Sequence, residues 1–253
     1  MSESTPTLLL VHGAWHGAWC WEERFAPYLR QHGLQVQTID LPGHGRQDTR
    51  RIPWFSVRDY ADAVETQIQA SSSPVVVAGH SMGGFVVQKV MERQPPNLAG
   101  AALFGAAPPW GVFSVVWHLL RSRPIDLGVA SLGFNLYHLV REPRFAQALF
   151  YSASMPESEV RQYWAKTQNE SFRAFLDMLA LDLPKPAKAD PKLPKWVIGG
   201  EHDTIFPPDV VRRTATAYGA EATIYPNMAH NLMLDAGWEK VADDLNNWIS
   251  NLS

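Results

Sequence analysis

The sequence predicts an α/β fold: a mostly parallel sheet of about six strands, helices on both faces, and an inserted helical cap. Three observations lead there. Short apolar runs of strand length alternate with stretches of helical periodicity along the chain. One such run, Pro74-Val75-Val76-Val77-Ala78, turns through Gly79-His80-Ser81-Met82-Gly83 directly into a helical pattern. A later stretch, residues 110–190, carries several helical patterns and no convincing strand. Strands alternating with helices imply a parallel sheet covered on both faces. The core is therefore expected over residues 1–109 and 191–253, and the cap over 110–190.

The chain has 253 residues, 46% of them hydrophobic, enough for one such domain with a sizeable core. Formal net charge is -3, and basic residues are not clustered. That argues against nucleic acid as a partner. Cys20 is the lone cysteine, so no intrachain disulfide or thiolate metal cluster can form. A reducing compartment fits. Met1 to Pro6 offers no basic leader region, and the apolar run from Leu8 to Val11 is far shorter than a signal-peptide core. No apolar stretch approaches bilayer-spanning length. The expectation is a cytoplasmic protein without a membrane span. Ten tryptophans point to aromatic pockets as well as core.

In chain order, Thr7-Leu8-Leu9-Leu10-Val11 reads as a buried strand, followed by a loop rich in Gly, His and Trp. Trp21, Phe25, Tyr28 and Leu29 recur at helical spacing, with Gly33 as the stop. Residues 34–39 form a second strand, and Asp40-Leu41-Pro42-Gly43-His44-Gly45 a turn-rich loop. Ser56 and Asp59 are a capping pair for a helix that turns Tyr60, Val64 and Ile68 inward. The strand and helix around Ser81 come next, and Pro95-Pro96 ends that helix. Residues 99–104 make a fourth strand, closed by Gly105 and Pro108-Pro109. Aromatic and leucine side chains, among them Trp117, Phe134, Phe150, Trp164 and Phe175, dominate 110–190. A Pro- and Lys-rich linker, 183–194, returns to the sheet. Residues 195–199 and 222–225 are the fifth and sixth strands, and between them Pro207-Pro208 opens a helix. Trp238, Val241, Leu245, Trp248 and Ile249 line the closing helix.

The turn at Ser81 has the pattern G-x-S-x-G between strand and helix. It places a hydroxyl at the apex of a strained bend above the sheet edge, at a helix N-terminus. β-Carbons two residues before and after the serine would not fit. A serine hydroxyl needs a base within hydrogen-bond reach, and the base needs an orienting acid. In an α/β sheet both come from loops at the carboxyl ends of strands. The loop after the fifth strand is Gly199-Gly200-Glu201-His202-Asp203; after the sixth comes Pro226-Asn227-Met228-Ala229-His230. The chain order Ser, Asp, His matches this elbow architecture. Ser81 is the candidate nucleophile, His230 the base and Asp203 the acid. Glu201 is the rival acid; the loop after the fourth strand, Gly105-Ala106-Ala107-Pro108, offers none. His80 is expected to pack beneath the turn, and His202 to be a loop residue.

An oxyanion hole would use the Met82 N–H and a donor from His12-Gly13-Ala14-Trp15-His16-Gly17-Ala18-Trp19. Gly13 lets this backbone approach closely. Ala14 N–H is the expected second donor, with Trp15 N–H as competitor. Gly13, Trp15 and Trp110 are the candidate substrate-contact residues, although Trp15 could equally be core. His12 and His16 lack carboxylate or thiolate partners nearby in sequence, so no metal is expected. Residues 79–84 hold no GKS/T and no regular GxGxxG, which argues against a nucleotide site. No cofactor is called for.

Together, His12-Gly13, the 40–45 loop, the Ser81 turn, Gly200-Glu201-His202-Asp203 and His230 resemble the α/β-hydrolase superfamily, from Leu8 to Ile249. The resemblance implies an α/β-hydrolase fold. The family's eight strands reduce to six here, with the two leading antiparallel strands missing or trimmed. The run Val11-His12-Gly13-Ala14-Trp15-His16-Gly17-Ala18-Trp19-Cys20-Trp21 looks like the branch of plant methylesterases and hydroxynitrile lyases. Those lyases carry a threonine where this chain has Gly13, and a lysine directly after the catalytic histidine, where Asn231 stands. Both departures point to ester hydrolysis. The 40–45 loop is instead similar to bacterial hydrolases, and the cap does not match the methylesterases closely, so no substrate carries over. The expectation is a cofactor-free serine carboxylesterase that cleaves an ester of an apolar acyl or aromatic small molecule through an acyl-enzyme. Dehalogenases and most epoxide hydrolases of this fold use aspartate at the turn, which Ser81 argues against. The alternatives are a lyase or cofactor-free dioxygenase on the same scaffold, or a ligand-sensing protein.

Overall fold

The computed structural model describes residues 6–45 and 49–252. The stretch read for a leader lies, at residues 1–5, outside the described residues. The chain opens with β1 (Thr7–Val11), buried along its whole length. Leu8 and Leu10 face one core cluster, Leu9 and Val11 another. That two-residue alternation, apolar on both sides, marks a strand covered on both faces.

The helix expected after β1 is two helices, α1 (Trp19–Glu22) and α2 (Phe25–Gln31). Arg24 breaks them apart: its backbone leaves helical geometry at φ -151°. Its guanidinium pairs with Glu159 at 2.5 Å and also meets Tyr163. Trp21 and Phe25 stay fully buried on either side of the break; burial of a phenylalanine is worth ~2–3 kcal/mol. Gly33 ends α2 at φ +90°, with Gly33 N–H bonded to Arg30 O and Leu34 N–H to Leu29 O. This paired closure takes Leu34 into the helix cap, so β2 spans only Val36–Ile39.

Ser56 and Asp59 form the expected reciprocal cap of α3 (Val57–Ala70), which buries Tyr60, Val64 and Ile68. β3 (Val75–His80) leads through Ser81 into α4 (Met82–Arg93), and β4 (Leu98–Phe104) follows. Five helices come next: α5 (Phe113–Ser122), α6 (Pro124–Leu132), α7 (Pro143–Phe150), α8 (Glu157–Trp164) and α9 (Phe172–Leu176). None of the described residues between 110 and 190 is in a strand. β5 (Lys195–Gly200), α10 (Pro208–Ala217), β6 (Ala222–Tyr225) and α11 (Trp238–Ser250) close the chain.

The six strands are all parallel, in the order β2-β1-β3-β4-β5-β6. The chain runs outward from β1 to β2, then returns to add β3 on the other side of β1. The switch point therefore lies between β1 and β3, where crevices open at the carboxyl ends of strands. Val11 and Gly79 are paired in register there, so the 12–19 loop and the Ser81 turn leave the sheet side by side. α1, α2 and α11 cover one face; α3, α4 and α10 cover the other. The helical insertion joins both: Phe150 and Tyr163 pack into the first cluster, Val112, Ala174 and Met178 into the second. Its own cluster is small, built on Leu119, Ala130, Leu136 and Leu139. No described helix is long and apolar enough to cross a membrane.

Candidate active site

Ser81 sits at φ 54°, ψ -116°, outside the regions open to a serine. Such a conformation costs of order 1–3 kcal/mol. The surroundings hold it: Ser81 N–H donates to Phe104 O at 2.9 Å, and Ser81 O accepts from Phe85 and Ala107 N–H, each at 3.1 Å. The flanking glycines are steric requirements. A β-carbon on Gly79 would lie 2.4 Å from Gly83 O, and one on Gly83 would lie 2.4 Å from His12 O. Met82 begins α4, where backbone N–H groups have no acceptor within the helix and the dipole favours negative charge.

The loop after β1 presses against this turn. A β-carbon on Gly13 would approach His80 Nδ1 to 2.6 Å and Ser81 Cβ to 3.0 Å. The two donors weighed in this loop separate by their partners. Trp15 N–H is taken by Glu170 Oε2 at 3.2 Å, and its indole donates to Leu136 O at 3.1 Å. Ala14 and Met82 both line the cavity above Ser81.

The loops after β5 and β6 bring acid and base together. Asp203 Oδ2 receives His230 Nδ1–H at 2.8 Å, with both groups buried. Asp203 Oδ1 accepts from Ile205 and Phe206 N–H at 2.8 and 2.9 Å, which fixes the carboxylate. The pairing at Nδ1 leaves His230 Nε2 as the basic nitrogen. Its ring packs against His80 and Phe206 with centroids 4.7 and 5.7 Å away. Glu201 is exposed and accepts from Asn227 N–H, in the loop after β6, at 3.0 Å; His202 is exposed beside it. Neither reaches the buried pair.

Four more buried histidines surround the site. His80 lies under the turn and bonds to His230 O through Nε2 at 3.1 Å. His16 donates from Nδ1 to Ala14 O at 2.7 Å and accepts at Nε2 from Asn231 Nδ2 at 3.1 Å. Asn231 is thereby turned into the protein rather than toward the cavity. Burial lowers the His16 pKa to about 4, and pushes those of His12 and His80 well below the ordinary histidine range. These rings are neutral and structural. Burial acts on His44 in the same direction, but the charge of Glu170 and a hydrogen bond to it outweigh burial and raise its pKa. No group of three or more His, Cys, Asp or Glu among the described residues is arranged to hold a metal.

Above Ser81 lies a narrow cavity of about 80 Å³. Apart from Ser81 its walls are apolar: Ala14, Trp15 and Met82 from the core, Val115, Leu119 and Phe175 from the insertion, and others of the same character. Trp15 belongs to this wall. Trp110 does not: it is 38% exposed, and the Arg213 guanidinium stacks on its ring at 4.4 Å. The Pro108-Pro109 turn carries the Trp110 side chain to the outer surface, where a cation–π partner was not visible in local sequence. Two larger hollows, of about 370 and 510 Å³, lie on the outer surface of the insertion and share no residue with the site.

Two buried acids that hold the loops of the site were missed in sequence. Asp235 accepts from Ala229 N–H at 2.7 Å and Ser152 Oγ at 2.7 Å, tying the His230 loop to the insertion. An acid closing the apolar run Leu232-Met233-Leu234 was its only signal. Glu170, 1% exposed, had none.

A family model described as the alpha/beta hydrolase family matches residues 8–244. Similar plant proteins include methyl jasmonate esterase 1 of Vitis vinifera, 36% identical over 120 residues, 46% of this chain and 45% of that one. Norfluorocurarine synthase 1 of Strychnos nux-vomica is 32% identical over 136 residues, 49% of this chain and 50% of that one. The chain spans about half the length, or less, of the curated relatives it matches. Among solved structures, polyneuridine aldehyde esterase superposes with a TM-score of 0.73 at 20% identity, covering 96% of this chain and 99% of that one. The monoacylglycerol lipase of Paleococcus ferrophilus gives 0.71 at 22% identity, covering 99% and 97%. These structural likenesses concern the fold. With the family match running from β1 into α11 and the parallel sheet beneath it, the chain belongs to the alpha/beta hydrolase family.

Proposed function

We propose that the chain is a serine carboxylesterase acting on small, uncharged esters with an apolar acyl group. The observation that supports this reading is a strained, half-buried Ser81 under an apolar cavity, with a buried, hydrogen-bonded Asp203–His230 pair on the loops after β5 and β6. Esterase names among the similar plant proteins support it. Ser81 Oγ attacks the ester carbonyl as its proton passes to His230 Nε2. Asp203 holds the ring in the required tautomer and stabilises the imidazolium. The Ala14 and Met82 N–H groups receive the charge that forms on the carbonyl oxygen. The alcohol leaves with the proton from His230. Water, deprotonated by the same nitrogen, then releases the acid. In this reading, residues 110–190 act as the cap that shapes the acyl pocket.

No charged side chain lines the cavity, so an acyl group with its own carboxylate would be buried unpaired at a cost of several kcal/mol. Turnover of p-nitrophenyl butyrate against the p-nitrophenyl monoester of succinic acid tests this. The neutral ester should be preferred at least about 100-fold; equal kcat/KM would reject the apolar pocket. The Ser81→Ala variant separates the esterase from a dioxygenase that needs only the His–Asp pair. Full activity of that variant on the natural substrate would overturn the acyl-enzyme route.

A further inference from the structure

The insertion and the core meet at a buried carboxylate. Glu170 Oε2 accepts from Trp15 N–H at 3.2 Å and from His44 Nε2–H at 3.0 Å. Its Oε1 accepts from Tyr60 OH at 3.2 Å and from Ser171 N–H at 2.5 Å. Gln168 completes the clasp. Its N–H donates to Trp15 O at 2.9 Å, its Nε2 donates to Gly43 O at 3.2 Å, and its Oε1 accepts from Gly45 N–H at 2.9 Å. Residues 168–170 therefore grip Trp15 by both its N–H and its carbonyl.

Trp15 needs such a grip. Its φ of +63° lies in the left-handed region that bulky side chains rarely enter. The strain has a consequence one residue earlier. The Trp15 N–H and the Ala14 carbonyl belong to one peptide plane. Glu170 fixes the first, and His16 Nδ1–H fixes the second at 2.7 Å. With that plane held, and Gly13 close to Ser81 Cβ, the backbone on both sides of Ala14, which lines the cavity, has little freedom to turn. A buried carboxylate this near a developing oxyanion would oppose it by repulsion. His44, whose ring is as buried as Glu170, supplies the counter-charge.

We propose that Glu170 is a positioning residue: by holding the Trp15 peptide, it aims the Ala14 N–H at the oxyanion formed on attack by Ser81. This rests on the esterase reading above.

The test compares wild type, Glu170→Ala, Glu170→Gln and Ser81→Ala with p-nitrophenyl butyrate and with an alkyl trifluoromethyl ketone. The ketone forms a reversible tetrahedral adduct whose oxygen fills the hole. Glu170→Ala should lose about 10- to 100-fold in kcat, less than the 100- to 1000-fold typical of deleting one oxyanion donor. KM should stay within about threefold, and ketone affinity should fall in parallel with kcat. Glu170→Gln keeps an acceptor for Trp15 N–H and should recover most of both. If the alanine variant does not fold, Glu170→Leu with His44→Phe, which removes both charges at similar volume, carries the same expectation. Rates are expressed per active site, titrated with a fluorophosphonate. Wild-type kcat per site and wild-type ketone affinity in any folded variant lacking an acceptor at 170 overturn the positioning role. With wild type active and Ser81→Ala inactive, that result leaves the esterase reading standing. Absence of wild-type ester turnover overturns both.

Discussion

Each proposed catalytic group is held by contacts that its own type of side chain requires. Ser81 is strained and locked by Phe104, Phe85 and Ala107. Asp203 spends one oxygen on two backbone N–H groups and the other on His230. Two predictions belong here. Ser81→Ala should lower kcat for ester hydrolysis by about 10⁴-fold or more, with its thermal midpoint unchanged, because the backbone strain is kept and the packing is not disturbed. Asp203→Asn should cost about 10⁴-fold by favouring the wrong His230 tautomer, while Glu201→Gln should stay within about twofold. Steady-state rates of the two carboxamide variants decide it; a reversal would assign the acid to Glu201. The Ser81 turn, the close approach of Gly13 to it and the loops that carry Asp203 and His230 were legible in sequence because punctuation by glycine and order along the chain are local signals. Glu170 was not, because its partner Trp15 is 155 residues away and nothing beside it in the chain marks it.

At the scale of the element, local chemistry sets the boundaries and packing sets the stability. The Ser56–Asp59 reciprocal cap was readable from four residues, and it closes α3 as expected. Ser56→Ala should destabilise the protein by ~1 kcal/mol, lowering the calorimetric midpoint by about 2–4 °C for a chain of this size. A midpoint within 0.5 °C of wild type would contradict a working cap. The break between α1 and α2 was hidden because Trp21, Phe25, Tyr28 and Leu29 keep helical spacing across it. The contacts of Arg24 with Glu159 and Tyr163, far along the chain, accompany the kink. Burial also differs sharply between helices. Ten of the twelve residues of α4 are buried, against one each in α5 and α6. Amide exchange should be slowest in α4 and faster by several orders of magnitude in α5 and α6. Equal protection would show that the outer insertion is as firmly held as the core.

For the whole molecule, the ring of buried histidines couples stability to pH. His12, His16 and His80 have pKa values in the folded state below their unfolded values. Below about pH 6.5 the unfolded chain binds protons that the native rings refuse, so stability present above that pH is lost on acidification. Each ring contributes up to ~1.4 kcal/mol per pH unit until its folded pKa is reached, which for His16 is about 4. His44 acts oppositely: its raised pKa adds stability on the acid side that fades as pH rises through the folded value. Three rings against one give a net loss. Urea midpoints should fall between pH 7 and pH 5; equal midpoints would mean the rings take up protons when folded. The sequence by itself determined the parallel α/β architecture, the six strands and the loops that carry Ser81, Asp203 and His230. Those follow from apolar periodicity and from glycine and proline, which act over a few residues. The tertiary structure alone decided that the Trp15 N–H is taken by Glu170, that Trp110 lies outside the cavity, and that Glu170 and Asp235 tie the loops of the site to residues 110–190. Those depend on contacts between residues remote in the chain, whose geometry exists only once the sheet's switch point and the inserted helices have packed together.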